Sequence, residues 1–145
     1  MRVFVRSLFA AIALAVVAGL TLAPRMIVGP ARRAFLDWAD ATTLPLFGGV
    51  AYAEAERLLN TAMFVPLGVA LALLLPLRGW PLAVAAGFVV SVAVEYLQAG
   101  IPGRVPDPPD VLWNTVGGAV GVGAVTLVRA LAVAARAQRG SVTRT

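Results

Sequence analysis

Residues 61–98 read TAMFVPLGVALALLLPLRGWPLAVAAGFVVSVAVEYLQ, and this stretch decides the fold. It holds two apolar runs, Thr61–Leu77 and Trp80–Gln98, parted by Arg78-Gly79. A helix that crosses a bilayer needs about 20 mostly apolar residues, within a range of roughly 17–25. Both runs qualify. Pro76-Leu-Arg-Gly-Trp-Pro81 has the composition of a tight turn, so the spacing predicts a short antiparallel hairpin. Pro66 lies inside the first run, where neighbouring groups can satisfy the carbonyl that proline frees.

Outward from this hairpin the pattern repeats. Ser7–Ala23 is an apolar run behind Arg2 and Arg6, closed by Pro24-Arg25. A fourth run extends from Val111 to Ala135 and contains Arg129, read as snorkelling to the far interface. The first run also fits a signal peptide ending at Thr21-Leu22-Ala23. Its length favours an uncleaved helix. Residues 24–59 form a long connection in which Ala31–Trp38 and Val50–Leu59 read as short interfacial helices or as parts of a solvated loop. The expected fold is an all-α membrane protein, a single domain over 1–145. It has four transmembrane helices in a bundle and an interfacial segment between the first two. The C-terminal stretch Arg136–Thr145 reads as a frayed basic tail.

Composition agrees. Sixty percent of the 145 residues are apolar by side chain, and the 14 glycines lift the share to about 70%. Soluble domains sit near 45–50% on that wider count, with about 25% charged residues. Here only 13% are charged. Cysteine and histidine are absent. Disulfides, thiol nucleophiles, histidine triads and His- or Cys-bound zinc are therefore excluded. All 12 basic residues are arginines, dispersed beside apolar runs, which argues against nucleic acid as a partner.

The arginines also orient the chain. Arg2, Arg6, Arg78, Arg129, Arg136, Arg139 and Arg144 fall on one side, which carries no carboxylate. Arg25, Arg32, Arg33, Arg57 and Arg104 fall on the other. The positive-inside rule then places both termini in the cytoplasm of a multi-pass cell-membrane protein.

Glu95 is the one carboxylate within a run, about 7 Å from the outer end of its helix. Ser91, Glu95 and Gln98 share one helix face, which should turn inward, with Val89, Val92, Ala93 and Tyr96 opposite. Asp110 and Asn114 leave the first turn of the fourth helix on one side, with Asp110 a candidate N-cap. Asn60 opens the second helix. The stiff loop 100–110, with four prolines, adds Arg104 and Asp107.

Asn60, Glu95, Gln98, Arg104, Asp107, Asp110 and Asn114 thus converge near the outer surface as a candidate ligand site. In an alternative reading they are caps, a neutralising ion pair and interhelical hydrogen bonds. Gly117 and Gly121 form a G-x-x-x-G pair expected to pack within the chain rather than between chains.

The order of these residues resembles the VanZ-like family of small bacterial membrane proteins. The carriers are Asn60-Thr-Ala-Met-Phe64-Val-Pro66-Leu-Gly68, Glu95-Tyr-Leu-Gln98, and Arg104-Val-Pro-Asp107-Pro-Pro-Asp110-Val-Leu-Trp-Asn114-Thr-Val-Gly117. The resemblance runs from about residue 60 to 121 and leaves 24–59 unaligned. The Pro106–Pro109 stretch is richer in proline than is usual for the family. The resemblance implies a cell-envelope setting linked to glycopeptide antibiotic resistance, and it implies no reaction.

The leading expectation is a protein that binds a lipid-linked cell-wall precursor or a glycopeptide at this site, with membrane lipids around it. Arg104 would meet a phosphate or carboxylate, and Glu95 and Gln98 would meet hydroxyl or amide groups. One alternative is a lipid-modifying enzyme using Glu95 as base, or a metal on Glu95, Asp107 and Asp110. Another is a structural subunit without a ligand. No catalytic residue, resident metal or cofactor is assigned, and the oligomeric state is open.

Overall fold

The computed structural model describes residues 2–23, 25–41, 52–101 and 108–142, and among these it contains helices and turns but no strand. The helices are α1 (Arg2–Leu22), α2 (Arg25–Ala41), α3 (Tyr52–Leu74), α4 (Trp80–Gln98) and α5 (Pro108–Val142). A 3-10 turn, Leu77–Gly79, joins α3 to α4. Among the described residues, four stretches are long and apolar enough to cross a membrane: Val3–Leu22, Arg57–Leu74, Leu77–Gln98 and Pro108–Arg139. The chain is an all-α membrane protein of four such helices in a bundle.

The central helix is α3. It shares its most extensive contact with α5 and also packs on α1 and α4, while α4 fills the space between α5 and α1. Phe64 is fully buried on α3, with Leu67 and Ala70 beside it. They form one cluster with Ala13 and Val17 of α1 and Val94 of α4. A second cluster joins Ala72, Ala83 and Val122. The outward faces carry Ile12, Leu14, Val16, Val89, Val120 and Val128 in the open, as expected of helices solvated by lipid tails. Because α1 supplies core residues, it is an integral wall of the bundle.

Glycine sets the α3–α5 distance. A Cβ on Gly117 would overlap the carbonyl of Thr61, and one on Gly121 would overlap Val65 and lie 2.8 Å from the Val69 amide. A Cβ on Gly68 would in turn meet the backbone of Gly118. The G-x-x-x-G pair therefore packs within the chain, as its spacing suggested, and it brings two parallel helices to backbone contact.

Several predicted boundaries move. The α3 helix starts at Tyr52 rather than near Thr61, and Val50–Leu59 is not a separate interfacial helix over its described part. Residues 53–59 are Ala, Glu, Arg and Leu, all strong helix formers that simply extend the span. Asn60 is consequently two turns inside the helix and is not its opening residue. The α5 helix starts at Pro108, since proline suits a first turn. Asp110 lies within that turn and is not the N-cap.

The expected frayed tail is helical as far as Val142. Alanine, arginine and glutamine dominate residues 130–139, and their propensity carries the helix on. At 35 residues α5 is about 52 Å long, more than the roughly 30 Å hydrocarbon core. The predicted helix at Ala31–Trp38 exists inside the longer α2, with Phe35 and Trp38 rings 5.9 Å apart.

Proline and Arg129 together end α3. An α-helix would bond the Ala72 carbonyl to the amide of residue 76, but Pro76 has no N–H. Arg129 of α5 supplies the missing donor. Its Nη1 donates to Ala72 O at 3.0 Å and to Leu75 O at 2.9 Å. The contact forms because the carbonyls at a helix C-terminus attract a cation, and it lies at the far end of α3, where the arginine is expected to reach.

Candidate functional site

The C-terminal ends of α1 and α4 and the N-terminal ends of α3 and α5 meet at one end of the bundle. The meeting follows from topology. The α3–α4 hairpin reverses direction at the 3-10 turn, and the α4–α5 connection reverses it again. Polar side chains gather there because α3 and α4 carry their polar residues at that end, and α1 and α5 add Thr21, Asp110, Asn114 and Thr115.

Asp110 is the hub. Asn60 Nδ2 donates to Asp110 Oδ2 at 3.4 Å, linking α3 to the first turn of α5. Arg57 Nε lies 3.8 Å from Asp110 Oδ1. Arg57 and Asn60 are three residues apart and so share a face of α3. The sequence reading missed Arg57 because it started the helix after it. The helix-forming composition of residues 53–59 was the signal that could have placed it.

Asn114 lies one turn further along α5 and is only 4% exposed. Its Oδ1 is buried and accepts no hydrogen bond among the described residues. A buried carbonyl without a donor costs about 1–3 kcal/mol, and such groups in native proteins call for an explanation. Thr115 beside it is satisfied within its own helix, donating to Val111 O at 2.6 Å. On α3, Thr61 likewise donates to Arg57 O.

The polar stripe of α4 turns inward as expected. Ser91 and Gln98 are buried, Glu95 is half-buried, and Tyr96 on the other face is 80% exposed. Ser91 Oγ donates to Val111 O at 3.4 Å, tying α4 to α5. Gln98 serves the opposite flank. Its Nε2 donates to the Thr21 carbonyl of α1 at 2.8 Å. The Thr21 hydroxyl bonds back to Val17 O. Gln98 therefore takes part in the α1–α4 contact, and the described structure joins it to none of the other predicted site residues.

Of the seven predicted residues, the structure pairs Asn60 with Asp110 directly. Asn114, Glu95 and Gln98 lie at the same end of the bundle. Arg104 and Asp107 fall outside the described residues. Among the described residues no three carboxylates gather closely enough to hold a metal ion. What the site offers is mostly hydrogen-bond acceptors: the Asp110 and Glu95 carboxylates and the buried Asn114 carbonyl. Its one described cation, Arg57, lies against Asp110.

A comparison with curated proteins finds no match, and neither does one with solved structures. The family model described as VanZ/LLP1 matches residues 9–129. The matched stretch begins inside α1 and ends at Arg129 on α5, so it includes α2 and the connection around it as well as the 60–121 core read from motifs. With most of its length matched, the chain belongs to the VanZ/LLP1 family.

Proposed function

We propose that this VanZ-like membrane protein binds a lipid-linked or glycopeptide-type ligand of the cell envelope at the polar end of the bundle. The observation that carries the reading is the buried, unpartnered Asn114 carbonyl beside the Asn60–Asp110–Arg57 cluster. A purely structural cluster gains nothing from an orphaned acceptor in its interior. A ligand bearing amide or hydroxyl donors would satisfy it. Peptide and sugar portions of envelope precursors are rich in both. Glu95 offers a second acceptor, and Arg104 would meet a phosphate or carboxylate.

The same reading puts this end in the outer leaflet of the cell membrane with both termini in the cytoplasm. Its support is the arginine count: Arg6, Arg78, Arg136 and Arg139 belong to the opposite end of the bundle, and no Asp or Glu occurs in residues 1–23, 61–94 or 111–145. The link to glycopeptide resistance is part of the proposal.

The test is binding and susceptibility in matched, well-expressed variants. Asn114→Leu, Glu95→Gln, Arg104→Gln and Asp110→Ala should each lower binding of a lipid-linked precursor to purified protein in nanodiscs. They should also alter glycopeptide susceptibility of cells. Unchanged binding and susceptibility in all four would remove the proposal.

A further inference from the structure

A second site lies at the other end of the bundle, between α4 and α5. There an open groove of about 480 Å³ is lined by apolar surface, including Trp80, Val84, Ala119, Gly123 and Leu127. The volume falls within the roughly 300–1,000 Å³ of ordinary small-ligand sites. Two details keep the groove open and apolar. A Cβ on Gly123 would meet nothing within 4 Å, so the helix leaves space where a larger residue would fill it. Thr126, also in the lining, spends its hydroxyl on Val122 O at 2.8 Å.

Arginines adjoin one end of the groove in sequence. Trp80 and Ala130 line its end. Arg78 precedes Trp80 by two residues and is exposed. Arg129 precedes Ala130, with its Nη1 held on the α3 carbonyls. The first turn of α4 has no acidic residue and no side-chain cap. Residues 61–94 and 111–142 contain no carboxylate at all. An apolar trough is thus adjoined in sequence by an exposed arginine, Arg78, with no carboxylate in residues 61–94 or 111–142, next to a half-exposed tryptophan of the kind that settles at headgroup level.

We infer that this groove is a binding site for one anionic phospholipid, its acyl chain along Gly123 and Leu127 and its phosphate at Arg78. Charge complementarity selects the headgroup, since a basic residue at the surface favours anionic over zwitterionic lipid. The site is separate from the polar end and stands whether or not a ligand binds there.

The experiment uses the full chain with Trp38→Phe and Trp113→Phe, leaving Trp80 as the reporter, in bilayers containing lipids brominated on the acyl chain. Brominated phosphatidylglycerol should quench Trp80 with an apparent association about fivefold above that of brominated phosphatidylcholine. Arg78→Gln should bring the two lipids to parity, and Gly123→Leu should weaken quenching by both. Equal quenching in the parent protein overturns the inference. So does a preference that survives Arg78→Gln. Protection of Trp80 from both lipids, with a dimer in native mass spectrometry, would assign the groove to a second copy of the chain instead.

Discussion

Adding one methyl group at each of four glycines of α1 and α5 should split them into two classes. Gly19 and Gly123 have nothing within 4 Å of a new Cβ. Alanine there removes the helix penalty of glycine, worth about 0.8–1 kcal/mol, and should leave the bundle as stable or more so. Gly117 and Gly121 gain the same propensity but meet α3 backbone. A Cβ on Gly117 would lie 2.9 Å from the Thr61 carbonyl carbon, and one on Gly121 would lie 2.8 Å from the Val69 amide nitrogen. Optimal contact is about 3.5–4.0 Å. The overlapped carbonyl oxygens of Thr61 and Val65 lie closer still, and backbone cannot rotate aside, so α5 must retreat by more than an ångström along its most extensive contact. Overpacking of this kind costs about 1–3 kcal/mol. After the propensity gain, each alanine should destabilise by about 0.5–2 kcal/mol, and the pair together by more. The assay is reversible SDS unfolding in mixed micelles, followed by circular dichroism, on all four single variants. If Gly117→Ala and Gly121→Ala unfold with Gly123→Ala, the close α3–α5 seam is wrong.

Two further substitutions probe how the helices are tied together. Arg129→Met removes the donor to Ala72 and Leu75 and leaves two carbonyls at the proline-broken end of α3 unserved. A charged hydrogen bond contributes about 1.5–3 kcal/mol, so a loss of about 2 kcal/mol in the same unfolding assay is expected. Gln98→Leu cuts the hydrogen bond to Thr21 O and should cost about 1 kcal/mol. It should also raise hydrogen exchange at the C-terminal end of α1, while leaving exchange at the α3–α5 seam unchanged.

The four spans were legible because hydropathy records which residues meet lipid, and each run had the length a bilayer imposes. Helix ends were not legible by the same signal. Tyr52–Leu59 and Arg136–Val142 extend their helices beyond the apolar runs, largely through helix-forming residues. Hydropathy marks membrane depth, whereas propensity decides where the backbone leaves the helix. The inward turn of the Ser91, Glu95 and Gln98 stripe followed from spacing alone, and so did packing of Gly117 and Gly121 within the chain. The partners did not. Arg129 finds Ala72 because Pro76 lacks an N–H, a match between residues more than fifty positions apart that no local pattern encodes. Gln98 was grouped with Asn60 and Asp110 by depth, yet it bonds across to α1. Depth fixes only one of the three coordinates a site needs.

The seam and the polar end are one construction. Because α3 and α5 run parallel at backbone contact, Asn60 and Asp110 reach each other, and the first turn of α5 presents Asp110 to Arg57. The helix N-terminus adds a third favourable interaction for that carboxylate. Asp110 is thereby stabilised as an anion from three directions, whereas the Oδ1 of Asn114, one turn deeper, accepts no hydrogen bond among the described residues. The two residues should therefore separate stability from recognition. Asp110→Asn weakens the 3.8 Å contact with Arg57, whose side chain is 35% exposed although its Nε is buried, and should cost about 1 kcal/mol. Asn114→Leu removes a buried carbonyl that accepts no hydrogen bond among the described residues and should leave the bundle equally stable or stabilise it, while lowering ligand binding under the proposed reading. A protein that tolerates a costly polar group where leucine would fold better is keeping that group for something outside the fold. If Asn114→Leu instead unfolds the bundle, the amide is held by the fold itself and its claim to a ligand is gone.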